Sequence, residues 1–302
     1  MLKRCDNRDG SRTFGEQWNM NEVRLLSRDI KLGFMRKAYV LLLVLPFAYA
    51  MTKQCRLDIV MLNENGVLNS TCTIVDYWIY SMRGMNIFKF DPVIRFEIPI
   101  HWFWFEICAS YFNAYYTKKD FDEQGGGVLL VSGNRTAWWF SKAVLCVIKT
   151  TAYFLFSIAI IAVLALLNGA KLSPEITNSF LMYKFGFNTV YCNIEKYLVI
   201  TAFLPWLATC SICLVQNALS LYFGSIVSFI SVCVLYIISA YYTVWFLPGN
   251  YMMWLRSSFL YEKGISPLTG IIVSIGITIM ALILGDLYIN NCDILSKENG
   301  RN

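Results

Sequence analysis

The sequence predicts an all-α integral membrane protein: six transmembrane helices, an N-terminal amphipathic interfacial helix and an extracellular interfacial segment. Composition is the first of three observations behind this. The chain is 57% hydrophobic and 15% charged with a mean hydropathy of +0.49, far more apolar than a soluble domain. The second is that its apolar runs approach the roughly 20 residues needed to cross the hydrocarbon of a bilayer. The third is that its lysines and arginines sit beside those runs, so the net charge of +6 reads as membrane orientation and not as a nucleic-acid footprint.

Residues 1 to about 18 form a basic head carrying Lys3, Arg4, Arg8 and Arg12. From there Met20, Val23, Leu26, Ile30 and Phe34 recur at helical spacing, with Arg24, Arg28 and Lys31 on the opposite face. The pattern predicts a helix lying at the membrane surface. The first turns of the following span are the alternative. No cleavable signal peptide is recognised, because the first apolar run follows a long charged head and lacks a small-residue cleavage site. The head places the N-terminus in the cytoplasm by the positive-inside rule.

A single permease domain is expected: residues 1–31 as head and amphipathic helix, 32–289 as the six-helix membrane domain, and 290–302 as a cytoplasmic tail. The first span runs from about Leu32 to Met51, with Arg36 and Lys37 able to snorkel to the interface. About Thr52 to Glu97 is too polar to span and is placed outside. Within it, TIVDYWIYSMRGM suits an interfacial helix anchored by Tyr77, Trp78 and Tyr80. Span two covers about Ile98 to Tyr116 and returns the chain to Lys118 and Lys119 in the cytoplasm. Span three runs from near Trp139 to about Leu167, and an outward loop follows to Glu195. Spans four, about Leu198 to Leu219, and five, about Tyr222 to Phe246, are separated by a tight turn. Leu247 to Gly264 is placed outside, span six runs from about Leu268 to Ile289, and the C-terminus is cytoplasmic. The protein is thus expected in the plasma membrane, multi-pass, with both termini inside.

Chemistry-bearing motifs are sparse. The triple glycine at 125–127 is not followed by the lysine and hydroxyl residue of a phosphate-binding loop, so ATP hydrolysis is not expected in this chain. The single histidine, His101, has no partner for a zinc site, and no base is placed to activate a serine or cysteine. Neither an enzyme nor a metal site is expected. Cys210 and Cys213 have CxxC spacing inside an apolar helix, where packing is the better reading. Cys55, Cys72 and Cys192 fall in segments placed outside the cell, where a disulfide between two of them is chemically allowed. Asn69-Ser70-Thr71 matches a glycosylation sequon, a weak signal.

The hairpin from Arg95 to Val147 is more informative. Its break holds Asp120, Asp122 and Glu123, then the glycines, then Arg135 and Trp138-Trp139 before re-entry. That is the chemistry of a cytoplasmic projection on which a motor domain can push; a solvated loop with interfacial tryptophans fits equally. Two charges, Glu106 and Lys149, lie deep in successive antiparallel spans, each about 15 Å from the cytoplasmic face by rise per residue. They read as an intramembrane charge pair or as part of a transport path. The alternative for Lys149 is snorkelling to the interface.

The order DYWIYSMRGM, FEIPIHWFWFEI, the acidic and glycine-rich turn, SGNRTAWWFSK, a long apolar run and PGNYMMWLRSS resembles permease subunits of ABC-2 type exporters from Gram-positive bacteria. The resemblance covers about two-thirds of the chain and rests on order and spacing. It implies an exporter subunit that forms the translocation path, paired with a second copy or a similar permease and bound to a separate ATPase subunit that holds ATP and Mg. It further implies ATPase coupling for Arg24 and Arg28 of the N-terminal helix, and for Asp120, Asp122, Arg135, Trp138, Trp139 and Lys142 of the hairpin. Export of peptides such as bacteriocins, or of lipid-like compounds, is the implied activity. Glu106 and Lys149 depart from the apolar spans of the family. An ion-gradient-driven secondary transporter is the alternative, with a membrane-embedded enzyme or sensor behind it; Pro205 and the two intramembrane charges lend weight to the transporter, and the lack of an internal repeat counts against it.

Overall fold

The computed structural model describes residues 23–68, 71–88, 95–123, 135–186, 194–260 and 264–292. The basic head before Val23, the glycine run, Cys192 and most of the tail therefore lie outside the described residues. Those described form α1 (Val23–Glu64), α2 (Ile74–Ser81), α3 (Ile100–Asn113), α4 (Tyr116–Glu123), α5 (Arg135–Leu167), α6 (Asn178–Phe185), α7 (Glu195–Phe223), α8 (Ser225–Tyr241) and α9 (Pro267–Asn291). Among them there is no strand, only two isolated bridges, Thr73 to Lys171 and Ser257 to Ile265.

Four of these helices, α1, α5, α7 and α9, are long and apolar enough to cross a membrane. The chain is thus a helical protein of membrane type. The other two expected spans are shorter. At 1.5 Å per residue, the 14 residues of α3 reach about 21 Å and the 17 of α8 about 26 Å, against a hydrocarbon core of about 30 Å. Both still pack in the bundle: Asn113 Nδ2 donates to Thr150 Oγ1 (3.1 Å), and the hydroxyls of Ser110 and Tyr236 lie 2.9 Å apart.

The amphipathic segment and the first span form one helix of 42 residues, with a π turn over Ile30–Phe34 and a 3-10 stretch over Met35–Leu43. The inward stripe at its start is Leu25, Asp29 and Gly33, an i, i+4, i+8 row. Of the expected apolar face, Val23 is 67% exposed, Leu26 and Ile30 are half-buried, and Phe34 packs against Phe112. The sequence period distinguishes an apolar from a basic face, and the residues that turn inward, Leu25, Asp29 and Gly33, belong to neither row.

At the opposite end, α2 begins on a capping box. Thr73 accepts from the Asp76 backbone N–H, and the Asp76 carboxylate accepts from the Thr73 N–H (2.8 Å). Asp76 also accepts from the N–H of Thr177 (2.9 Å), tying α2 to the approach to α6. Tyr77, Trp78 and Tyr80, expected as interfacial anchors, are buried in the largest apolar cluster with Phe105, Tyr153 and Trp254. The chain turns between α7 and α8 at Gly224, whose φ of +86° is a conformation that side chains with a Cβ rarely adopt.

The segment after α8, expected on the outer side, is packed into the protein and not laid over it as a solvated loop. Pro248–Met252 and Trp254–Arg256 form two 3-10 turns whose residues are all buried. Buried irregular backbone is tolerated only where the protein satisfies its polar groups. Here one side chain does most of that. Arg256 donates from Nη1 to Ser239 O and from Nη2 to Ala240 O (2.6 Å each), the open carbonyls at the C-terminus of α8. It also donates to Met85 O (3.3 Å), Asn86 O (3.4 Å) and the Asn250 side-chain oxygen. Asn250 Nδ2 completes the set by donating to Tyr242 O (2.9 Å) and Val244 O (3.0 Å).

Candidate functional site

Three segments distant in sequence converge at the end of the bundle where α1 begins. Asp29 from α1, Asp120 from α4 and Lys142 from α5 are all buried. Lys142 Nζ bridges the carboxylates, 2.6 Å from Asp29 Oδ1 and 2.7 Å from Asp120 Oδ2. Arg28 pairs with the other oxygen of Asp120, so two cations face two carboxylates. Further donors reach both carboxylates. Tyr116 Oη (2.8 Å) and Ser141 Oγ (2.7 Å) donate to Asp29, and Trp138 Nε1 (3.3 Å) donates to Asp120. The Lys142 ammonium lies over the rings of Tyr116 (4.7 Å) and Trp138 (5.0 Å). Burial, reinforced by the charges of Asp29 and Asp120, holds the Tyr116 phenol well above its ordinary range, so it remains a donor.

Buried ions without such compensation cost several kcal/mol each, which is why the cluster is complete. Its local logic is sequence-encoded. Tyr116 and Asp120 stand at i and i+4 on α4, and Trp138 and Lys142 at i and i+4 on α5, so each helix presents both groups on one face.

Of the expected coupling residues, Asp120, Trp138, Trp139 and Lys142 are therefore interior. They join elements and present no surface to a partner. Trp139 donates from Nε1 to Leu282 O (2.9 Å) and lays its ring on Gly285, where a Cβ would come within 2.1 Å of it. Arg135 caps the end of α9, donating to Ile289 O (3.3 Å), Asn290 O (3.1 Å) and Cys292 O (3.0 Å). Lys118 does the same for Leu221 O of α7 at 3.4 Å. What faces outward is Arg24 of α1 and one side of α4. There Lys119 and Glu123 form an exposed pair (3.7 Å), and Asp122 pairs with Lys118 (3.3 Å).

A second polar region lies between the helices. Glu106 and Lys149 are both buried, but they do not form an ion pair. The Glu106 carboxylate accepts from Thr209 Oγ1 of α7 (3.0 Å), and Lys149 Nζ lies 4.7 Å from the ring centre of Phe112. Register is the reason. The contacts of Asn113 with Thr150 and of Phe105 O with Tyr153 Oη set α3 against α5 so that the level of Glu106 falls roughly one to two turns from Lys149. Counting depth from assumed span ends missed this offset. Around them, Gln216 Nε2 donates to Ser110 O (3.2 Å), while Asn113 Oδ1 and Gln216 Oε1 are buried acceptors without a partner among the described residues.

Cys55 and Cys72 are buried thiols that are not bonded to each other; Cys192, the third cysteine of the possible disulfide, lies outside the described residues. Burial pushes the Cys72 thiol up to about 12, which keeps it protonated and inert. Cys210 and Cys213 are buried as expected of packing residues, and no metal-binding group of side chains occurs among the described residues.

Sequence reasoning missed Asp29, Tyr116, Ser141, Asn250 and Arg256. Asp29 had a signal, an acid inside a basic helix. Arg256 had one as well, a lone cation after the apolar run NYMMWL. No family model matches the chain, and no curated protein or solved structure matches it either.

Proposed function

We propose that this chain is the membrane subunit of an ATP-driven exporter, a permease of the ABC-2 type that its motif order resembles. In this reading α1, α3, α5, α7, α8 and α9 cross the plasma membrane, with the ionic cluster and both termini on the cytoplasmic side. A separate ATPase subunit supplies ATP and Mg, and a second permease copy or a similar chain completes the path.

The observation that carries the proposal is the mounting of α4. This short helix has a charged outer face, and its inner face is locked to α1 and α5 by Lys142, Asp29, Asp120 and Arg28. A force applied to Lys119 and Glu123 passes into two long helices at once. The buried polar groups between α3, α5 and α7 give the moving helices an alternative set of partners, as a two-state transporter requires.

Affinity purification from native membranes tests this directly. Wild-type protein is expected to carry a nucleotide-hydrolysing subunit, and charge reversal at Lys119→Glu with Glu123→Lys is expected to weaken that association while the fold survives. Purification without any ATPase, or full association and hydrolysis in the reversed variant, would overturn it.

Glu106 favours a second reading, a secondary transporter driven by protons, because a buried carboxylate bonded to a single hydroxyl is a group able to take up a proton. Transport by purified protein in vesicles under a proton gradient, without nucleotide, would decide for that reading.

A further inference from the structure

We propose that the groove between α1 and α5, at the end away from the ionic cluster, binds an anionic phospholipid. The groove has a volume of about 470 Å3 and is lined by Tyr49, Lys53, Arg56, Leu57, Leu164 and Leu167 among others. Position is the first argument. Lys53 stands 25 residues beyond Arg28 on α1, roughly 40 Å along a helix with a 3-10 stretch, so a bilayer core of about 30 Å puts it near the far interface.

Charge is the second argument. Lys53 and Arg56 are exposed, share a face at i and i+3, and form no salt bridge among the described residues. Arg56 Nη1 donates to Asn168 Oδ1 (3.0 Å), which fixes the guanidinium at the groove and leaves other donors free. The Lys53 ammonium sits 5.8 Å from the ring centre of Tyr49. The nearest acid in sequence, Asp58, cannot serve them. It lies roughly 200° further round the helix from Arg56 and is engaged with Lys184 (2.7 Å) and Tyr80.

The surroundings are the third argument. Leu57 is 51% exposed and Leu167 76%, so the two cations stand amid apolar surface. A free phosphate would leave that surface uncovered. A phospholipid satisfies both halves: its phosphate lies between Lys53 and Arg56, and its acyl chains lie on the leucines and Tyr49. An anionic headgroup is selected because two cations attract it more than a zwitterion of no net charge.

Native mass spectrometry of the purified protein in detergent, with added phosphatidylglycerol or phosphatidylcholine, tests the proposal. Wild-type protein is expected to retain phosphatidylglycerol preferentially, and Lys53→Gln and Arg56→Gln are each expected to reduce that preference about fivefold. The single Lys53→Gln variant removes no hydrogen bond of the fold, so its melting temperature should match wild type. Excess glycerol 3-phosphate should not displace the lipid.

Equal retention of the two lipids by wild type would overturn the proposal, as would a preference that survives in the double variant. Displacement by glycerol 3-phosphate would assign the groove to a soluble phosphate. A dimer lost in the double variant, with no lipid preference in wild type, would assign it to a second copy of the chain. None of these outcomes depends on which energy source drives transport.

Discussion

The two ends of the bundle solve the same problem, a buried cation, in opposite ways. At the α1 end, Lys142 and Arg28 meet carboxylates, and charge is balanced by charge drawn from three segments. At the other end, Arg256 is surrounded by backbone carbonyls and the amide of Asn250. It answers the partial negative charge of a helix C-terminus, not a formal charge. The first arrangement ties neighbouring helices into one unit and can be rewired by changing charges in pairs. The second holds an irregular chain inside the protein and has no compensating substitution, since carbonyls cannot be mutated away.

The contrast is broken most severely at Arg256. Its replacement by Met leaves Ser239 O, Ala240 O and the Asn250 amide oxygen without their donor, at roughly 1–3 kcal/mol each. Arg256→Met should therefore fail to give monodisperse protein in detergent. Arg256→Lys should rescue little, because an ammonium lacks the planar fork that spans two adjacent carbonyls. Size-exclusion profiles read both, and a wild-type profile for the Met variant would show that the turns support themselves.

Lys142→Met comes next, at about 3–5 kcal/mol for stripping a buried network of its central partner. Here the comparison predicts rescue. Adding Asp29→Asn removes one of the two orphaned carboxylate charges and leaves Arg28 with Asp120, so the double variant should melt above the single one. Additive losses would mean that Lys142 and Asp29 are not coupled.

Gly285→Ala tests packing beside the first cluster without touching its charges. The new methyl meets the Trp139 ring, and overpacking of this kind costs about 1–3 kcal/mol. Trp139→Phe, which shortens the ring system, should recover part of the loss in melting temperature.

The smallest expected effect is at the cap of α2. Thr73→Ala removes one half of the capping box and should cost about 1 kcal/mol. Thr73→Ser should be close to wild type in the same thermal melt.

Composition and hydropathy determined by themselves that the chain is helical and of membrane type, because burying backbone in lipid leaves few other solutions. A tight turn between α7 and α8 was likewise legible, though the sequence set it between Leu219 and Tyr222 where the chain turns at Gly224, and it began span three near Trp139 where α5 begins at Arg135. The i, i+4 spacings within α4 and α5 were legible as faces, yet nothing local says which face turns inward. Only the tertiary structure decided that Asp29 and not Val23 points to the interior, that Trp138 and Trp139 are core, that Glu106 and Lys149 miss each other by register, and that the segment around Arg256 folds back into the protein. Each of these depends on a partner more than 10 residues away, and a polar group is cheap to bury only when that partner is in place.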